Sequence, residues 1–142
     1  MNVAAILREK GSHVVTVRET LTLEEAAAVL DSNSIGALVV TDQQGRATAV
    51  LSERDIVREL ALNGAAALSR PIAHALTQAF VTAALDDTLA DVMVRMTERR
   101  ARHLPVIEKE KLVGIVSIGD VVRFKIADIE AETAAIREYI LS

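Results

Sequence analysis

The chain has 142 residues, 51% of them hydrophobic and 25% charged, which suits one shared core and excludes both a disordered polymer and a multidomain enzyme. Sixteen basic against 20 acidic residues give a formal net charge of −4, and aromatics make up 2%, so the chain offers neither a field that attracts polyanions nor stacking platforms for single-stranded nucleic acid. Cysteine is absent, which removes disulfides, thiolate metal sites and cysteine nucleophiles and fits a reducing compartment.

At the start of the chain, Val3, Ile6 and Leu7 suggest a short lead-in helix, and Arg8, Glu9 and Lys10 follow before any signal-like apolar segment. No apolar run reaches the roughly 18 residues a membrane helix needs, so the expectation is a cytoplasmic chain that spans no membrane. Residues 14–17 read as a short strand. Thr22 then opens a helix with Glu25 three positions on, the spacing of a capping box, and Leu23, Ala26, Ala27 and Leu30 form its apolar face. Residues 33–36 end that helix, 37–41 form a continuous apolar strand, 42–45 a polar turn and 47–51 another strand. Ser52 caps the next helix, with Asp55 at its third position. An Ala-rich linker follows, in which Pro71 begins a short helix. The order then recurs: a strand at 80–83, a helix from Thr88 with Asp91, a strand around 104–107, a turn at 108–111, a strand at 112–116, and a helix opened by Ser117 and Asp120. That helix runs on, with Ile126, Ile129, Thr133, Ile136 and Ile140 spaced by three and four.

The recurrence is an internal repeat. A shift of 66 positions lays Val15 on Val81, Thr16 on Thr82, Thr22 on Thr88, Leu38 on Leu104 and Val40 on Val106; after one deletion in a turn the shift becomes 65, laying Ser52 on Ser117, Asp55 on Asp120 and Arg58 on Arg123. The expected architecture is mixed α and β: two pseudo-two-fold repeats, each β-α-β-β-α, over residues 12–63 and 80–126. A linker covers 64–79 and a C-terminal helix 127–142.

Two segments carry a resemblance. Ile35-Gly36-Ala37-Leu38-Val39-Val40 with Leu51-Ser52-Glu53-Arg54-Asp55-Ile56-Val57, and Arg102-His103-Leu104-Pro105-Val106 with Leu112 to Val122, resemble the two motifs of a cystathionine-β-synthase (CBS) domain pair, or Bateman module, of the small stand-alone bacterial type. Two positions depart from the pattern: Ala49 stands where Gly114 keeps the usual glycine, and Leu76-Thr77 replaces a common Met-Thr. The resemblance implies a non-catalytic regulatory module that binds AMP, ATP, NAD species or a related adenosine ligand between its repeats.

Spacing alone explains Ser52/Asp55 and Ser117/Asp120 as capping boxes, like Thr22/Glu25 and Thr88/Asp91. The resemblance turns Asp55 and Asp120 into ribose ligands, because a carboxylate at a helix N-terminus can accept ribose hydroxyls, with Ser52 and Ser117 as polar neighbours. Arg99, Arg100, Arg102 and His103 read as charge complementing a helix end. The resemblance makes Arg102 and His103, with Arg54, candidate phosphate ligands, and Arg58 and Arg123 lie one turn farther along. By the same resemblance Thr16 and Thr82 line the adenine pockets, with Ile35, Gly36, Ala37 and Pro105 supplying wall. His13 and His74 have no companions at ligand spacing, so no metal site is expected.

Catalytic signatures, including a phosphate loop and a nucleophile elbow, are missing. The leading expectation is an adenine-nucleotide sensor, and the competing one a structural homodimerisation module in which both aspartates only cap helices. The expected partners are a nucleotide, a second copy and a protein target, without membrane or nucleic acid.

Overall fold

A computed structural model describes residues 1–76 and 80–142. The end of the linker, including Thr77 of the departure noted above, lies outside the described residues. The elements run α1 (Val3–Lys10), β1 (Thr16–Arg18), α2 (Leu23–Asn33), β2 (Ala37–Thr41), β3 (Ala47–Ser52), α3 (Glu53–Asn63), two 3₁₀ turns (Gly64–Ser69 and Ile72–Ala75), α4 (Leu89–Arg99), β4 (His103–Glu108), β5 (Lys111–Ser117) and α5 (Ile118–Leu141).

Local chemistry sets most of these boundaries. Ser52, Thr88 and Ser117 each accept the N–H three residues on, and Asp55, Asp91 and Asp120 reach back to the cap N–H, closing full capping boxes. Thr22 does only half of this: its hydroxyl accepts from Glu25 N–H, but it also donates to Glu25 Oε1 at 2.9 Å. Helix α2 ends at Ser34, which takes the left-handed conformation with φ 52°, and Arg100 ends α4 the same way with φ 51°. Gly36 therefore does not terminate the helix, and its lack of a Cβ serves a close approach instead.

Strand β2 is central in its sheet, parallel to β1 and antiparallel to β3. The second sheet is the antiparallel pair β4 and β5. The strand expected at 80–83 is reduced to one bridge, in which Ala83 pairs with Val106. Side chains satisfy the neighbouring backbone instead. Arg95 Nη1 donates to Thr82 O at 3.1 Å, and Asp87 Oδ2 accepts Ala84 N–H at 2.8 Å while pairing with Arg95 at 2.7 Å.

Each lead-in segment serves the other repeat. Val3, Ile6 and Leu7 of α1 join Leu89, Val92, Leu104, Val116 and Phe124 in the second repeat's core. Ala67, Ile72 and Ala75 of the linker join Leu23, Leu38, Leu51 and Ile56 in the first. The backbone contacts are pseudo-symmetric: Val3 N–H donates to Asp87 O at 3.0 Å and Ala4 N–H to Leu85 O at 3.0 Å, while Ile72 N–H donates to Leu21 O at 2.8 Å and Ala73 N–H to Glu19 O at 3.3 Å. The halves are thus interleaved, each completed by chain that precedes the other.

Gly114 belongs to this arrangement. A Cβ there would lie 2.7 and 2.8 Å from the two methyls of buried Leu7. The missing side chain makes room for α1, which is why the repeat without α1 can carry Ala49. Gly114→Ala should overpack this contact and cost about 1 to 3 kcal/mol. Urea unfolding measures it, and an unchanged midpoint would show that Leu7 can move aside freely.

Candidate functional site

The two repeats meet where their equivalent strand starts and helix N-termini come together. Gly36 O accepts Glu53 N–H at 3.0 Å, and Arg102 O accepts Ile118 N–H at 2.8 Å, so each strand entry is tied over the start of its own repeat's helix. A Cβ on Gly36 would stand 3.3 Å from Glu53 Oε1 and 3.6 Å from the Cε1 and Nε2 atoms of His103. The first repeat thereby brings Gly36 and Glu53 against a histidine of the second, and only a small residue at 36 leaves this space. Ala37 and Pro105 are buried beside it, Ile35 and Ser52 are half-buried, and Arg54 and Arg102 are exposed.

Both aspartates are buried, Asp55 at 3% and Asp120 at 7% exposure, and both already hold partners. Asp55 Oδ2 accepts Ser52 N–H at 2.8 Å and the Ser52 hydroxyl at 3.0 Å, and its Oδ1 accepts Arg58 Nη2 at 2.8 Å. Asp120 Oδ2 accepts Ser117 N–H at 2.9 Å and Lys10 Nζ at 2.6 Å, with Arg123 Nη2 on Oδ1 at 3.0 Å. A carboxylate has about four acceptor positions. One remains on Oδ1 of each, enough for a single new hydrogen bond before an existing donor must leave.

Lys10 was not legible as a site residue. It lies 110 positions from Asp120, comes from the lead-in helix, and also donates to Ile115 O at 3.0 Å. Burial alone would raise the Asp120 pKa, but Lys10 and the Ser117 N–H outweigh it and hold the carboxyl below the usual aspartate value. Glu53 was likewise missed, although it adjoins the capping serine.

His103 feels the whole cleft. Burial, with Lys10 and Arg102, pushes its imidazole below the usual value against the opposing pull of Asp120 and Glu53. The folded chain thus keeps His103 neutral where the unfolded chain takes up a proton. Its contribution to stability is complete above about pH 6.5 and declines as pH falls below that, until the lowered folded value is reached. His103→Gln should therefore lose less stability than wild type between pH 7 and 5 in urea unfolding. Equal slopes would assign the acid sensitivity to other groups.

The remaining candidates lie on or beside the first strands. Thr16 is exposed on β1. Thr82 is half-buried and lines a groove of about 520 Å³ together with Phe80, Asp91, Arg95 and Arg99. Neither threonine shares a hydrogen bond with the aspartates among the described residues. No cluster of His, Asp or Glu able to hold a metal ion occurs among the described residues, and no helix there is long and apolar enough to cross a membrane.

Residues 3–62 and 72–127 match the family model described as CBS domain. The chain is 30% identical over 123 residues to the CBS domain-containing protein CBSX3, mitochondrial, of Arabidopsis thaliana, covering 84% of this chain and 60% of that protein, so it spans less than two thirds of that relative. Among solved structures it is similar to the CBS-domain containing protein ATU1752 from Agrobacterium tumefaciens, at 42% identity and TM-score 0.83, covering 86% of this chain and 91% of that one. It is also similar to the CBS domain pair of protein MJ0100, solved in complex with methylthioadenosine and S-adenosyl-L-methionine, at 25% identity and TM-score 0.79, covering 90% of this chain and 98% of that one.

Proposed function

The chain belongs to the CBS domain family, and on that footing we propose that it is a non-catalytic regulatory module that binds adenine nucleotides in the clefts between its repeats. The observation that carries this reading is the convergence of Gly36 and Glu53 from one repeat on His103 of the other, beside a buried aspartate at a helix N-terminus. Adenosine ligands held by the MJ0100 domain pair support the ligand class.

In this reading Asp55 and Asp120 receive ribose hydroxyls. Ser52 and Ser117 lie beside the sugar, and Arg54, Arg102 and His103 face the phosphates. Thr16, Thr82, Ile35, Gly36, Ala37 and Pro105 border the base. AMP, ATP and NAD species are the ligands of choice, and occupancy is relayed to a protein target. A thermal-shift panel of adenine nucleotides tests this, because a ligand at 100 times its dissociation constant stabilises the native state by about 2.7 kcal/mol. A flat panel favours the second reading, a structural homodimerisation module with vestigial pockets. That alternative draws on the partners both aspartates already hold within the chain.

The two clefts are unequal. Asp120 carries Lys10, whereas Asp55 is held by its own serine and Arg58. Arg54 of the first repeat is matched by Gly119 in the second. Titration with AMP and ATP should resolve two classes of site or fill only one, and two identical independent sites would contradict this inequality.

The functional unit is a homodimer. Exposed Val57 on α3, Val94 on α4 and Val122 on α5 give the module apolar helix faces that a second copy can cover.

A further inference from the structure

Helix α5 runs unbroken from Ile118 to Leu141, yet its last buried side chain is Phe124. Beyond it only Asp128 is half-buried, and every residue from Ile129 on is exposed. A helix of this length with no packed face is marginal in water, so the exposed part needs a partner. Its exposed apolar residues are ordered. Val122, Ile126, Ile129, Thr133, Ile136 and Ile140 alternate steps of four and three, the 3.5-residue repeat of a coiled coil, with Val122, Ile129 and Ile136 at d and Ile126, Thr133 and Ile140 at a. At about 100° per residue this seam lies roughly 130° around the helix from the inward face carrying Val121 and Phe124. At the module end it continues into a shallow apolar groove lined by Ile118, Gly119, Val122, Arg123 and Ile126.

Flanking charges select the direction of pairing. Lys125 and Glu132 occupy g, and Arg123, Glu130 and Arg137 occupy e. Among the described residues Lys125, Glu130, Glu132 and Arg137 make no ion pair within the chain. In a parallel pair each g faces the partner's next e. Lys125 then meets the partner's Glu130, and Glu132 meets the partner's Arg137, all attractive. In the in-register antiparallel pair g faces g and e faces e. Glu132 then meets the partner's Glu132, Glu130 meets the partner's Glu130, and Arg123 meets the partner's Arg137, all repulsive. The solvent-facing positions Ala127, Ala131, Ala134 and Ala135 favour helix without adding a second seam.

We propose that α5 from Val122 to Ile140 forms a parallel coiled coil with α5 of a second copy of this chain, about 28 Å long at 1.5 Å rise per residue, whose e and g charges fix the two modules side by side with the same polarity. This deepens the homodimer reading and rests on it.

The absence of cysteine in the chain allows a direct test on the intact 142-residue chain. Light scattering on wild type should give a dimer. Under mild oxidation at micromolar concentration, Ile140→Cys and Thr133→Cys should each form a disulfide-linked dimer, while Ala131→Cys on the outer face should not. The double variant Lys125→Glu/Glu132→Lys makes every g-to-e contact repulsive and should raise the dimer dissociation constant roughly tenfold or more. Mixing it with Glu130→Lys/Arg137→Glu should restore association as a heterodimer. A dimer that cross-links at neither position would mean an antiparallel pair, in which 133 faces the partner's 129, or an interface elsewhere; either overturns the coil and leaves the homodimer standing. A trimeric mass, which β-branched residues at both a and d also accommodate, would overturn the two-chain form. A monomeric wild type overturns the homodimer reading and the coil together.

Discussion

Replacing Asp120 by alanine is expected to lower affinity for the preferred adenine nucleotide roughly 10- to 100-fold, because hydrogen bonds to a charged acceptor contribute about 1.5 to 3 kcal/mol. The same carboxylate holds Ser117 N–H, Lys10 and Arg123, so alanine also removes a cap and strips Lys10 of its counter-charge. Asp120→Asn separates these effects. Its amide oxygen can still accept the Ser117 N–H, keeping the start of α5 intact, while the charge that binds Lys10 and the proposed ribose is gone. Calorimetry on both variants, with circular dichroism to confirm the fold, should show a large loss of affinity in each. Unchanged affinity in a folded Asp120→Asn protein would return Asp120 to capping alone. Lys10→Met adds a further arm: it frees the second acceptor position on Oδ2, so adenosine, which lacks phosphate, should bind more tightly.

The second large effect concerns the interleaved lead-ins. Ile6 is fully buried in the second repeat's core, although it precedes the first. Ile6→Ala should cost about 2 to 5 kcal/mol, a large share of a domain's typical net stability of about 5 to 15 kcal/mol. Native-state hydrogen exchange should show the loss first in α4, β4 and β5, which touch Ile6's cluster, with Ile72→Ala producing the converse pattern in α2 and β2. Exchange that rises equally in both halves would mean that the two cores open as one cooperative unit. A loss confined to α1 and β1 would contradict the interleaving itself.

Local signals were the legible part of this fold. Helix α3 and the start of α5 announce themselves through Ser52/Asp55 and Ser117/Asp120, and β2 through the run Ala37 to Thr41, because caps and apolar periodicity act over a few residues. The strand expected at 80–83 failed for a reason that sequence spacing does not carry. Arg95 and Asp87 take over the hydrogen bonds on either side of Ala83, leaving one bridge where a ladder was expected. The destinations of the lead-ins were hidden more deeply. Val3, Ile6 and Leu7 display an apolar face, but nothing in that face says which core it covers. Gly114 beside Leu7 was visible only as a motif glycine. Lys10 went unseen for the same reason, since its role depends on α1 crossing to the other repeat. Gly36 was legible as part of the segment 33–36 that ends α2 and as a small residue of the expected pocket wall, whereas its approach to Glu53 and to His103 of the other repeat was not.

Backbone amide chemical shifts of the isotope-labelled protein, followed during titration with AMP, test the central claim most directly. Adenine-nucleotide binding between the repeats predicts saturable shifts at Gly36 and Ala37, at 52–55, at His103 and at 117–120, with a further change at Lys10 as its contact with Asp120 is disturbed. No saturable shift with AMP, ATP or NAD, or shifts confined to the groove beside α4 while Gly36, His103 and Asp120 stay still, would contradict it.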